Sequence, residues 1–120
     1  MLKVYKNNGF AKWQRRHKLL DKDLLIAVEE MEKGLIDANL GGSLFKKRIA
    51  KKGMGKSGAY RTIVAMKKEC GWFFIFGFDK NETDNIDKSE LTALKNYVDD
   101  YLFPNLAKLL INKELIEVSL

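Results

Sequence analysis

The sequence predicts an α+β domain, with an N-terminal helical hairpin packed on a small, mainly antiparallel sheet and a C-terminal helix. Three observations point there. Apolar residues recur at helical spacing through the first third of the chain. Three β-rich runs follow one another in the middle, and a capped helical stripe comes after them.

Leu2–Tyr5 alternates and reads as a first strand, closed by the punctuation Asn7-Asn8-Gly9. Phe10, Trp13, His17 and Leu20 share one helical face, and Lys12, Arg15, Arg16 and Lys18 occupy the other. Asp21 and Asp23 open a second helix, where carboxylates suit the positive end of the helix dipole. Its stripe is Leu20, Leu24, Ala27, Val28, Met31 and Leu35, with Gly34 as the stop. Residues 43–50 read as a strand with Lys46 and Arg48 on one face and Phe45, Lys47 and Ile49 on the other. A Gly/Lys loop is expected over 51–57. Gly58–Lys67 alternates again, and Trp72–Phe78 is nearly continuous apolar sequence, the pattern of a strand buried on both faces. Glu69-Cys70-Gly71 is the turn between them. Asp79–Ile86 reads as polar loop. Asp87, with Glu90 completing a capping box, is expected to start a helix with the stripe Leu91, Leu94, Val98 and Leu102. Pro104 should end or kink it near Phe103. Leu106, Leu109, Leu110 and Leu115 suggest one more helical segment. The expectation is one domain over 1–120, with 104–120 as a C-terminal helical extension.

A chain of 120 residues buries roughly two thirds of its unfolded surface, enough for a core without metals or disulfides. A single cysteine, Cys70, excludes an internal disulfide and suits a reducing cytoplasm. The N-terminal residues are too polar for a secretory signal, and no apolar run approaches the roughly 20 residues of a membrane span. A cytoplasmic protein without membrane attachment is therefore expected. The net charge of +6 is segregated along the chain. Residues 1–20 hold six basic and no acidic residues and residues 43–68 nine and none, while 21–42 and 79–100 are net acidic. Blocks of one sign make a basic face, and a basic face implies an anionic partner, nucleic acid being the commonest.

With one His and one Cys far apart, no zinc-ligand spacing exists. His17, on an apolar stripe, reads as a packed, hydrogen-bonded side chain. No Gly-x-Ser-x-Gly elbow occurs. The run Gly53–Gly58 lacks the first glycine of a P-loop at the required spacing and leads into a strand rather than a helix. What remains is cation-rich chemistry on a sheet. Lys46, Arg48, Lys56, Arg61 and Lys80 come from successive strands and their ends, and neighbouring strands lie about 5 Å apart, so the five can converge on one surface. Converging cations bind phosphate and stabilise phosphoryl transition states. Arg61, inside a strand, is the sharpest case; its alternative is a salt bridge to an acid of the C-terminal helix. For Lys47, Lys51 and Lys52 the plainer alternative is a solvated charge or one that tracks phosphates.

At these residues the chain resembles a known family. Lys51–Lys95 is similar to the RelE/ParE superfamily of bacterial type II toxins, in particular its RelE-like, HigB-type branch. The signature Gly-Lys-Ser-Gly-x-x-Arg-Thr stands here as Gly55-Lys56-Ser57-Gly58-Ala59-Tyr60-Arg61-Thr62. A strand ending in Phe-x-Lys, with a later Ile, stands as Phe78-Asp79-Lys80 and Ile86. The resemblance covers most of residues 1–100. It implies a sheet packed by two N-terminal helices, and an endonuclease that cuts mRNA, usually in the ribosomal A site, without metal or cofactor. It also implies a cognate antitoxin, of which a helix-turn-helix protein is one form. The implied reaction is transesterification, in which the RNA 2′-hydroxyl attacks the adjacent phosphate and leaves a 2′,3′-cyclic phosphate. By the same resemblance Arg61 contacts the scissile phosphate. Lys46 and Arg48 are candidates for general base and phosphate clamp, and Lys80 for general acid or clamp. Lys47, Lys51, Lys52 and Lys56 are the further RNA contacts. The chain departs from ribosome-dependent RelE where Asn81 replaces a late arginine and where no tyrosine stands between Glu82 and Asp87. Two other functions stay open on sequence: a ParE-like inhibitor of DNA gyrase, and an RNA-binding relative with weakened catalysis.

Overall fold

The computed structural model describes residues 2–51, 55–79 and 86–120. A six-stranded sheet carries the fold, flanked by helices on both faces. In chain order the elements are β1 (Lys3–Asn7), α1 (Asn8–Arg16), α2 (Asp21–Glu32), β2 (Ala38–Gly41), β3 (Leu44–Lys51), β4 (Gly55–Lys67), β5 (Gly71–Phe78), α3 (Lys88–Tyr97), α4 (Leu106–Ile111) and β6 (Leu115–Glu117). Across the sheet the order is β2-β3-β4-β5-β1-β6. The pairs are antiparallel except β1 with β5, which is parallel. The expected α+β architecture is thus present. Among the described residues no helix is long and apolar enough to cross a membrane.

The helical hairpin forms where its caps place it. Asn7 accepts from the Phe10 N–H at 2.8 Å and starts α1. Lys18 then turns the chain in the left-handed region at φ 57°. Asp23 reaches back to the Leu20 N–H at 3.0 Å to start α2, and Gly34 at φ 91° stops it. Leu24, Ala27, Val28 and Met31 are buried as expected, but Leu20 and Leu35 are 43% and 59% exposed. Both lie outside the helices, so the 3.6-residue spacing no longer decides which way they point. A polar knot ties the hairpin to the sheet. Lys6 of β1 donates to Gln14 of α1 and to Asp21 of α2, both at 2.9 Å, and Gln14 donates to Asp21 at 2.8 Å.

Two apolar cores sit on the two faces. One packs α1 and α2 on Val4, Ile49, Val64, Trp72 and Phe74. The other packs the C-terminal helices on Leu44, Ile63, Ala65, Phe73 and Phe78. β5 serves both cores, as its continuous apolar sequence predicts. Its register against β4 slips between Ile63 and Val64, which leaves Ile75 as an extra residue. The Ile75 carbonyl accepts from Asn7 Nδ2 at 3.2 Å instead. Beyond the bulge Gly77 comes to lie under α1. A Cβ there would stand 2.4 Å from Trp13 Cε3, so this position needs glycine for the helix to approach.

Two expectations are corrected and one is met. The Gly/Lys loop is shorter than 51–57, because Lys51 ends β3 and Gly55 starts β4. The C-terminal helix is interrupted near Phe103 and Pro104, as expected. The chain widens into a π turn over Val98–Leu102 and tightens into a 3-10 turn at Phe103–Asn105. It then continues as α4, so the proline's missing N–H falls where the helical ladder is already interrupted. Leu115 belongs not to a helical segment but to β6, which pairs with β1 through Asn7↔Leu115, Lys6↔Ile116 and Tyr5↔Glu117. The expected loop over 79–86 lies outside the described residues from 80 to 85. Asp87 caps α3 as expected, accepting from the Glu90 N–H at 2.8 Å.

Candidate active site

Period-two alternation on two paired strands builds the site. On β3, Phe45, Lys47 and Ile49 face α1 and α2, while Leu44, Lys46 and Arg48 face the opposite way. On β4, Tyr60 and Val64 face the helical hairpin, while Arg61, Ile63 and Ala65 share the face of Lys46 and Arg48. The register sets Lys46 across from Ile63 and Arg48 directly across from Arg61, and Arg61 in turn faces Phe78 of β5. Directly opposed residues have Cβ atoms about 4.5–5.5 Å apart. Three of the four cations expected to do chemistry therefore meet on one face, over a floor of Ile63 and Phe78, which are fully buried. Lys80, the fourth, lies outside the described residues, as does Lys52; of Lys56 only the backbone is described, within β4.

The electrostatics of this trio are unbalanced. Two arginines directly opposed on one sheet face repel, and such pairs destabilise a sheet. Only one has a counter-charge among the described residues. Arg48 Nε donates to Asp37 Oδ1 at 3.2 Å, and its backbone N–H donates to Asp37 Oδ2 at 2.6 Å. Arg61 and Lys46, both half-buried, make no hydrogen bond or ion pair among the described residues. The salt bridge from Arg61 to an acid of the C-terminal helix is absent among them. A guanidinium stays protonated in any protein environment, so the two arginines can only stabilise negative charge.

The other expected contacts go elsewhere. Lys47 lies on the hairpin side and is 6% exposed. Its Nζ is 2.9 Å from Glu30 Oε1 and 2.9 Å from the Leu35 carbonyl. That ammonium pins α2 and the following turn to β3, with the sheet between it and Arg61. Lys51, at the end of β3, is 2.7 Å from Asp79 Oδ2 and 4.8 Å from the centre of the Tyr60 ring. The hydrogen bond to Asp79 pushes its pKa up. His17 is packed as expected, its ring 4.6 Å from Trp13 and 5.4 Å from Tyr60, with Nδ1 3.9 Å from Asp79.

Sequence reasoning missed one residue that holds this face and two contacts outside it. Asp37, the anchor of Arg48, precedes a strand that alternation did not reveal. Asp79 reads as loop yet is 8% exposed and holds Lys51. Lys95 of α3 reaches over the β2–β3 turn, its Nζ 3.0 Å from where a Cβ on Gly41 would stand. No local signal marks Lys95, because helix and turn meet only in the folded chain.

The chain matches the family described as the RelE toxin of the RelE/RelB toxin–antitoxin system over residues 2–118. No curated protein matches it.

Proposed function

This chain belongs to the RelE toxin family and is the toxin of a type II toxin–antitoxin system, with a cognate antitoxin as its partner; we propose that it acts in the cytoplasm as an endoribonuclease on mRNA engaged by the ribosome, in the manner of the HigB-type branch. The observation that carries this reading is the cation trio Lys46, Arg48 and Arg61 on one sheet face, of which only Arg48 has a counter-charge among the described residues. Natural folds break their own local rules mainly at functional sites, and opposed arginines on a sheet break one.

Cleavage by transesterification makes three demands: a proton taken from the RNA 2′-oxygen, stabilisation of the phosphate as it gains charge, and a proton given to the departing 5′-oxygen. As the bond from 2′-oxygen to phosphorus forms, the phosphate passes from one negative charge toward two. Arg61 and Arg48, opposed across the β3–β4 pair, grip that group from two sides. Lys46 on the same face takes the 2′-proton or holds a phosphate oxygen. Lys80 protonates the 5′-oxygen or clamps the phosphate, the role it carries from the family pattern. The bond from phosphorus to the 5′-oxygen then breaks, leaving a 2′,3′-cyclic phosphate.

Induced expression tests this. The wild-type chain should arrest growth, with new mRNA ends carrying cyclic phosphate. Arg61→Ala should restore growth, since removing one charged partner of the transition state costs on the order of 3 kcal/mol, or roughly 100-fold in rate. Full toxicity of Arg61→Ala would overturn the assignment. A DNA-damage response without mRNA cuts would instead favour gyrase as target. Asn81 and the missing late tyrosine favour one second reading, an RNA-binding relative with weakened catalysis. In that case RNA binds with no cyclic-phosphate product even when ribosomes are added.

A further inference from the structure

The ion pair between Lys51 and Asp79 lies on the face of the sheet opposite the cation trio. Lys51 closes β3, Asp79 follows the last residue of β5, and β4 runs between those two strands. Strands two places apart in a sheet are separated by about 10 Å. The lysine side chain therefore reaches over β4 to make its 2.7 Å contact with Asp79 Oδ2. What it crosses is Tyr60, whose ring centre is 4.8 Å from Lys51 Nζ. Tyr60 is fixed in turn. Its hydroxyl donates to the His17 carbonyl at 2.9 Å, and its ring meets those of Trp13 and His17 edge-on. His17 Nδ1 is 3.9 Å from the same Asp79 oxygen. One network thus joins the end of α1 to three neighbouring strands.

Those strand ends carry the active face. Arg61 follows Tyr60 on β4, Phe78 precedes Asp79, and Arg48 stands three residues before Lys51. The backbone ladder gives little hold there. Among the described residues Arg61↔Phe78 is the final pair of β4 with β5 at this end, and the β3–β4 register shifts just beyond Ile49↔Tyr60. Arg48 and Arg61, directly opposed, repel across the same pair of strands. The network on the reverse face opposes that repulsion by tying β3 to β5 across β4.

Stability alone does not account for the pair. The Lys51 and Asp79 side chains are 21% and 11% exposed. An ion pair so far withdrawn from water loses to desolvation much of what the attraction gains, and apolar residues of similar size often serve as well. What apolar residues do not supply is direction, because a charged hydrogen bond fixes both distance and angle. Catalysis at a phosphate depends on such placement. A shift of about 1 Å at a reacting group can cost on the order of 100-fold in rate.

We propose that Asp79, bound to Lys51 across the ring of Tyr60, is a positioning residue that holds Arg61 and Arg48 in place for the scissile phosphate without touching the RNA. This rests on the nuclease reading and gives the hairpin face of the sheet a part in the geometry of that site.

The test uses the full chain and an end-labelled mRNA on programmed ribosomes. Single-turnover cleavage at saturating toxin and the half-saturating toxin concentration are measured separately, with Tm by circular dichroism for each protein. Lys51→Met and Asp79→Ala should each lower the saturated rate about 10–100-fold and leave the half-saturating concentration within about threefold of wild type. The double variant should be no slower than the slower single one, because both substitutions break the same tie. It leaves neither charge behind unpaired, so it also guards against a folding effect. Lys51→Arg, which keeps a cation between the carboxylate and the ring, should cleave within about threefold of wild type. If Lys51 instead holds RNA, Lys51→Met raises the half-saturating concentration and Asp79→Ala, by freeing the ammonium, lowers it; either shift would overturn the inference. So would losses that multiply in the double variant. Saturated rates equal to wild type beside a lowered Tm would mark a purely structural pair and overturn it as well. Arg61→Ala, run alongside, keeps the two readings apart. A wild-type chain that cuts and an Arg61→Ala chain that does not support the nuclease whatever Asp79→Ala does. A wild-type chain that leaves the mRNA uncut overturns the nuclease reading and this inference with it.

Discussion

Lys47 offers the sharpest separation of a structural from a functional cation. Its side chain is 8% exposed, whereas Glu30 opposite it is 45% exposed. Removing one member of a fully buried pair costs about 3–5 kcal/mol, and an exposed pair is worth about 0.2–1 kcal/mol. With one partner buried and the other half in water, Glu30→Ala should fall between, at about 1–3 kcal/mol. It leaves a buried ammonium with only the Leu35 carbonyl. Lys47→Met is different. Methionine fills much of the same apolar space, Glu30 rehydrates, and the lost hydrogen bond to Leu35, about 1 kcal/mol, is offset by relief of the ammonium's desolvation. Its net effect should stay within about 1 kcal/mol. For a chain of this size 1 kcal/mol moves Tm by roughly 4 °C. Glu30→Ala should therefore lower Tm by roughly 4–12 °C, and Lys47→Met by at most about 4 °C. Thermal unfolding followed by far-UV circular dichroism reads this, and induced expression reads toxicity in parallel. Lys47→Met should remain toxic where Arg61→Ala is not. A Lys47→Met protein with wild-type Tm and no toxicity would refute the structural assignment and return Lys47 to the RNA.

Two further outcomes follow from the packing and the polar knot. Gly77→Ala forces a Cβ to within 2.4 Å of Trp13, an overpacking that should cost about 1–3 kcal/mol in denaturant unfolding; an unchanged midpoint would show that α1 shifts freely. Burial alone would raise the Asp21 carboxyl, but the hydrogen bonds from Gln14 and Lys6 outweigh it and hold its pKa below the usual carboxylate range. The unfolded chain then takes up the proton first. The stability this group contributes is present above about pH 4 and lost as pH falls through the lower, folded value. Asp21→Asn should be less stable at neutral pH and should lose less stability on acidification, measured as Tm from pH 6 to pH 2; an acid limb as steep as wild type would refute the linkage.

Properties confined to one segment were legible in the sequence alone. Asn7-Asn8-Gly9 marks a break and Asp87 a cap, because short polar side chains reach a nearby N–H wherever the chain goes. The alternation of Lys46 with Lys47 and of Tyr60 with Arg61 assigns opposite faces, because a strand repeats every two residues. That was enough to group Lys46 with Arg48 and to set Arg61 apart from Tyr60, while the register of β3 on β4 put all three on one surface. Relations between segments came only with the tertiary structure. β2 and β6, with four and three residues, are too short to show a pattern, and they exist because β3 and β1 offer them hydrogen-bonding edges. Lys47 is silenced by Glu30, Arg48 is anchored by Asp37 and Lys51 is held by Asp79, whereas Arg61 keeps no counter-charge among the described residues. Charge is a property of a residue, but its neutralisation belongs to a pair. Seventeen positions in sequence separate Lys47 from Glu30 and 28 separate Lys51 from Asp79. Local periodicity carries no information over such distances; only the packing of α2 on β3 and the approach of Asp79, just past β5, to Lys51 decide which cations remain for a phosphate.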